Sequence, residues 1–292
     1  MFRYQDVFIG SLALIRLAAA GDPERAAVLD AVAFRVVGPG GATHLAILPQ
    51  GYDYPGASRC PALERDGLCS LHARGKPAQC RAVPLDPLAT HARQQNVLAE
   101  RMADSVWREV GCIATLPSAH HKKLLEGARV ADPDYVSAIG EWRSAAAMDL
   151  RIWGKAVLAQ LGTDWPATDA ALARAGGGYA AIAVVPAVMA LAAVSDAVRQ
   201  RCVLYLRAQI GLIEQAIDHA LLRRQVADRP TTQMLRAWID SYHAVLRVLA
   251  TPISASAPDV EAWLGIADHA PCPPSPLPPR HDHKPAQATH EP

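Results

Sequence analysis

The sequence predicts a mainly α protein in which a loop-rich cysteine-cluster module packs on a multi-helix body. Three observations carry that expectation. Apolar residues recur at helical spacing through most of the chain after residue 86, a Gly- and Pro-punctuated stretch from Phe34 to Pro84 interrupts the pattern, and three of the six cysteines fall inside that stretch. Four segments follow: N-terminal helices over 1–33, the cysteine module over 34–86, a helical body over 87–269, and a Pro- and His-rich tail over 270–292.

Residues 5–33 read as helix, with Val7, Leu12, Leu14 and Ile15 on one side. Gly21-Asp22-Pro23 breaks it, after which Asp22 and Pro23 restart a helix as cap and first residue. Met1 to Ala20 has the outline of an export signal, but Asp6 stands in its charged region and Arg16 interrupts its apolar stretch, so a first core helix is expected. From Phe34 the runs Gly38-Pro39-Gly40-Gly41 and Tyr54-Pro55-Gly56 forbid long helices. An irregular stretch of about fifty residues inside a compact protein needs a functional or metal-based reason to be ordered.

Asp86 and Pro87 then read as the cap and first residue of a helix reaching Gly111, with Leu98, Met102, Val106 and Val110 on one stripe. Further helices are expected at 119–129, 133–161, 166–175, 180–226 with a break at Pro186, 231–250 and 258–267. Ala175 to Ser195 carries no charge, yet it is mostly Ala and Gly around Pro186, which favours a buried helix over a membrane span. In the helix that follows, Leu206, Ile210, Ile213, Ile217 and Leu221 form a core stripe, while Glu214 and Asp218 read as a solvated face. The tail beyond Ala270, with Cys272, His281, His283 and His290, is too polar and proline-rich to bury a core.

Composition excludes some function classes. With 29 basic against 28 acidic residues and 5% aromatics, no overall field attracts nucleic acid. Six cysteines are too few for a disulfide scaffold, and their clustering suits a reducing cytoplasm. The chain lacks a phosphate loop, a Gly-x-Gly-x-x-Gly fingerprint, a Gly-x-Ser-x-Gly elbow and a His-Glu-x-x-His zinc motif. His120-His121-Lys122-Lys123 is read as a polar helix start.

Chemistry concentrates at Cys60, Cys69 and Cys80. Thiolates are soft, strongly donating ligands, and a turn-rich chain can converge several of them on zinc or an iron-sulfur centre. Spacing alone leaves three unrelated thiols as an equal alternative. The neighbours tip the balance: Cys60-Pro61-Ala62-Leu63, Gly67-Leu68-Cys69-Ser70-Leu71-His72 and Lys76-Pro77-Ala78-Gln79-Cys80-Arg81-Ala82-Val83-Pro84. Residues 59–84 resemble the second half of the YkgJ-type zinc- or iron-chelating cysteine-cluster family. That family's pattern continues Cys-Pro-x-Leu with Gly-x-Cys and Arg-Pro-x-x-Cys-Arg-x-x-Pro. Here Lys76 replaces the first Arg, one extra residue lies between Cys69 and Cys80, and the family's leading Cys-x2-Cys-Gly-x-Cys-Cys cluster is absent.

The resemblance implies metal binding by Cys60, Cys69 and Cys80. His72, at Cys-x2-His spacing from Cys69, is the first candidate for a fourth ligand and His91 the second; an open coordination position is the third. Cys112 would lie about 36 Å from Cys80 along a straight helix, which makes it a structural thiol. Arg59 and Arg81 flank ligand cysteines and would lower thiolate pKa and offset cluster charge; the competing role is a surface salt bridge. Arg81 also matches the family's Arg after the third cysteine. Two further functional classes stay open: an enzyme with a catalytic cluster, since proteins resembling this family include flagellin lysine N-methylases, and a metal-free helical interaction protein with a relic site.

Overall fold

A computed structural model describes residues 2–18, 21–38, 41–55, 57, 60–64, 66–103, 123–163, 165–175 and 178–266. The expectation of a mainly α fold is wrong. Among the described residues 59% are helical and 15% lie in strands, and the strands build a four-stranded antiparallel sheet at the centre of a mixed α/β fold. The segment Ile9–Leu17 is not a helix but β1, the strand that holds the sheet together. It pairs on one side with β3 (Gly41–Tyr52) and on the other with β6 (Tyr179–Ala183), while β2 (Phe34–Gly38) pairs with β3, giving the order β2-β3-β1-β6.

Burial on both faces explains the misreading. A strand with one wet face alternates apolar and polar residues, but a strand covered on both faces reads as one apolar run that periodicity cannot separate from helix. Leu12 and Leu14 of β1 and Leu45 and Ile47 of β3 enter the main core. Ile15 and Leu17, with Ala46 and Leu48, enter a second core on the opposite face. Likewise Gly38 and Gly41, from a run read as a helix breaker, end β2 and begin β3 and pair with each other.

Helix α1 (Pro23–Val32) starts as expected. The Asp22 carboxylate accepts a hydrogen bond from the Arg25 amide at 2.7 Å, and Pro23 occupies the first turn. The helix expected from Asp86 does not form there. Asp86 instead opens a turn, its Oδ1 accepting from Leu88 N at 2.9 Å. The buried Gln94 amide closes that loop on Asp86 and Ala89, and α2 (Ala78–Ala82) precedes it while α3 (Gln94–Ala103) follows. Of the helix expected at 119–129, residues 119–122 lie outside the described residues, as do His120 and His121; Leu125–Glu126 (β4) and Arg129–Val130 (β5) form a short hairpin instead.

Helix α4 (Pro133–Asp149) runs through a π turn at Leu150–Gly154 into α5 (Lys155–Gly162), and α6 (Trp165–Arg174) follows. The uncharged stretch 175–195 holds β6, then α7 (Val185–Ala192) with Pro186 in its first turn. Among the described residues no helix is long and apolar enough to cross a membrane. Helices α8 (Asp196–Arg223) and α9 (Arg229–Leu249) cover the main face of the sheet, and α10 (Pro258–Trp263) ends the described chain. Leu206, Ile210, Ile213 and Ile217 are buried as the stripe predicts, but Leu221 is 54% exposed. Glu214 and Asp218 are exposed.

One side chain ties the sheet to α8. Gln209 is fully buried; its Oε1 accepts from Gly10 N at 2.6 Å, and its Nε2 donates to Gln5 O and Phe8 O, each at 3.1 Å. Gly10 is required at this crossing. A Cβ there would stand 1.9 Å from the Tyr205 hydroxyl and 3.2 Å from the ring carbon bearing it. Gly10→Ala should therefore destabilise the protein by about 2 kcal/mol or more, the usual cost of overpacking. Adding Tyr205→Phe removes the clashing oxygen, which has no hydrogen-bond partner to lose. The double variant should recover most of that stability in urea denaturation, and two independent, additive effects would contradict the geometry.

The π turn carries a second test. Asp149 accepts a hydrogen bond from Trp153 Nε1 at 2.8 Å, and burial pushes its carboxyl up to about 6. A raised carboxyl pKa favours the folded state below the unfolded value near 3.8, and that advantage disappears as pH rises to 6. Asp149→Asn keeps the acceptor for Trp153 and removes the charge. It should match the wild type at pH 4 and exceed it at pH 7.5, by up to about 3 kcal/mol, when melting is followed across that range.

Candidate functional site

Residues 60–72 fold into a small irregular hairpin. Leu63 and Cys69 form an isolated antiparallel bridge, Glu64 O accepts from Gly67 N and Leu68 O from Glu64 N, and Gly67 turns the chain with φ of 84°. Ser70 closes the base, its amide and its hydroxyl both donating to Ala62 O. His72 N donates to Cys69 O at 2.9 Å, which gives the Cys-x2-His segment its turn. Among the described residues of this hairpin, only Ala62 and Leu71 are buried.

Cys80 comes from the single turn of α2. That turn is held to the body by Ala82, which packs with Leu85, Val130, Ala138 and Ile139 beneath α4. Cys60 and Cys80 are exposed, Cys69 is half-buried, and all three are free thiols. Burial pushes the Cys80 thiol up; the neighbouring Cys60 and Cys69 push it further, while Lys76 opposes them. Cys60 and Cys69 therefore both lie within electrostatic reach of Cys80. Among the described residues, however, no three His, Cys, Asp or Glu side chains stand together as a group that could hold a metal ion.

The remaining candidates are placed as follows. His72 is exposed at the end of the hairpin. His91 is engaged elsewhere, its Nδ1 accepting from Val130 N at 3.4 Å. Arg81 projects to α4, where both terminal nitrogens donate to the two carboxylate oxygens of Glu141. Each partner shifts the other: the hydrogen-bonded Arg81 holds the Glu141 carboxyl below its usual range, and Glu141 holds the guanidinium above its own. Of the two roles weighed for Arg81, this is the surface salt bridge, one residue from Cys80. Arg59, Cys112, Cys272, His281, His283 and His290 lie outside the described residues.

Sequence reasoning missed what holds the hairpin to the body. Tyr4 Oη donates to Gly75 O at 2.7 Å, Arg3 Nη2 to Arg74 O at 3.0 Å, and Arg74 Nη2 to Asp6 Oδ2 at 2.8 Å. Burial raises the Tyr4 hydroxyl, Arg3 opposes it and the charge of Cys80 adds to it, so this tyrosine lies within electrostatic reach of the third cysteine. No local signal announces contacts across about seventy residues; only the tyrosine and two arginines ahead of the first strand hint at a polar clamp.

Fold and site together define a mixed α/β protein with a central antiparallel sheet and a three-thiol segment held by the N-terminal turn and by α4. Compared with known protein families, curated proteins and solved structures, the chain matches none.

Gly75 sits at the clamp with φ of 85°, and a Cβ there would meet Arg3 Nη2 at 2.3 Å. Gly75→Ala should cost about 1 kcal/mol from the left-handed backbone alone and release Arg3. Limited proteolysis should then cut first within residues 60–76, with the global melting temperature lowered by only a few degrees.

Proposed function

We propose that residues 60–80 form a metal-binding cysteine cluster, taking zinc or an iron-sulfur centre, in a protein of the reducing cytoplasm. The observation that supports this reading is that three free thiols, two from the hairpin and one from α2, lie near enough for the charges of Cys60 and Cys69 to act on Cys80. Their neighbours give the segment its resemblance to the YkgJ-type family. Cys60, Cys69 and Cys80 would hold the metal, and His72, exposed one turn after Cys69, is the first candidate for the fourth position. Metal capture would draw the sulfurs together from their present spacing, and zinc or iron would replace their protons. Arg81 would act through its charge, from the position that Glu141 fixes.

Metal content decides the matter. Protein purified without oxygen should carry close to one metal site per chain, colourless if zinc and brown with acid-labile sulfide if an iron-sulfur centre. Cys69→Ala should abolish metal retention while Cys112→Ala leaves it intact. His72→Ala should weaken retention if the imidazole is the fourth ligand. A wild type free of metal under these conditions overturns the reading and leaves an interaction protein with three relic thiols.

A further inference from the structure

A cavity of about 230 Å³ opens between the start of β1, the end of β3 and the C-terminal half of α8. Ile9, Tyr52 and Leu212 give it apolar walls, and Asp53, His219 and Arg223 stand at its polar side. At the packing density of protein interiors it holds roughly ten non-hydrogen atoms. Its dimensions suit a small organic molecule with one polar end.

The charges on that polar side are not balanced. Arg223 is matched from behind: its Nε and Nη2 donate to Asp228 Oδ2 at 3.2 and 2.8 Å, and its guanidinium lies over the Tyr54 ring, 5.2 Å from the centroid. Asp228 is only 3% exposed, so this pair presents no net charge to a ligand. Asp53 has no such partner. Its Oδ1 accepts from Tyr54 N at 2.8 Å, and among the described residues no cationic side chain stands within ion-pair distance. Arg223 acts on Asp53 through its field alone, so this exposed carboxylate at the rim of the cavity, with one oxygen committed to backbone, leaves the other open to a cation. Tyr52, half-buried in the cavity wall, supplies an aromatic ring of the kind that favours ammonium groups.

We infer that this cavity binds a small organic amine, with the ammonium on Asp53 and the apolar body against Ile9, Tyr52 and Leu212. Neither Cys69 nor Cys80 lines it, so the metal reading can fail without touching the amine site.

Calorimetric titration of the full chain with three isosteric probes tests this: phenethylamine, 2-phenylethanol and phenylacetate. Phenethylamine should bind saturably and at least tenfold more tightly than the alcohol, with phenylacetate weaker still. Asp53→Asn, an exposed position, should lose at least tenfold in amine affinity with its melting temperature unchanged. Leu212→Trp should block all binding by filling the cavity. Stronger binding of phenylacetate would assign the cavity to Arg223 and His219 and overturn the inference. An unaltered affinity in Asp53→Asn, or no saturable binding by any probe, would overturn it equally.

Discussion

The Gln209 amide is the constraint on which the rest of this structure depends. It sits fully buried on α8 and spends its one acceptor and both donors on three backbone groups of residues 5–10. Those residues precede and open β1, the strand that joins β3 to β6, so fixing them sets the position of the sheet under α8. A buried amide fully satisfied by fixed backbone groups specifies one arrangement, because any slip leaves polar atoms unpaired at about 1–3 kcal/mol each. Gly10 makes the close approach possible, and the hydroxyl of Tyr205 occupies the space a side chain would need.

The same anchor reaches the cysteine segment at one remove. Residues 3–6, held in place because Gln5 and Phe8 are, supply Arg3, Tyr4 and Asp6 to the 74–75 loop. From that loop the chain enters α2, whose Ala82 plugs the small core under α4, and Cys80 sits between the two attachments. The position of the third thiol is therefore set by the N-terminal turn and by α4, not by its own short helix. One helical turn of five residues cannot be stable alone.

Legibility followed from how many faces an element buries. The start of helix α1 was readable to the residue because Asp22 and Pro23 declare it chemically, and the stripe of α8 because one side of that helix meets the core while the other meets water. The strands were not readable. Covering β1 and β3 on both faces replaced alternation with apolar runs, and the glycines of the β2–β3 hairpin looked like simple helix breakers. Asp86 misled for a related reason: an Asp-Pro pair caps a helix or opens a turn with the same side-chain bond, and Gln94, eight residues on, selects the turn. At the site, the three cysteines stood out by residue type and neighbourhood. The partners that locate them, Tyr4 and Glu141, are seventy-six and sixty-one residues away from Cys80 and carry no local signal.

The energetic contrast between body and site bears on what the site can do. The sheet, α7, α8 and α9 share one continuous core, whereas the described residues of the hairpin 60–72 bury only Ala62 and Leu71 and are otherwise joined by turn hydrogen bonds. Such a segment has low local stability, so it can rearrange without drawing on the core. Binding energy of a metal would then be expressed as ordering of the hairpin rather than as stability of the whole protein, because the sulfurs of Cys60 and Cys69 belong to the mobile-prone element and only Cys80 to the fixed one. Pro61 extends the consequence. It neighbours Cys60 and also lines the cavity beside Asp53, so a rearrangement of the hairpin that carried Pro61 along would move one wall of that cavity, while Asp53 directly follows β3.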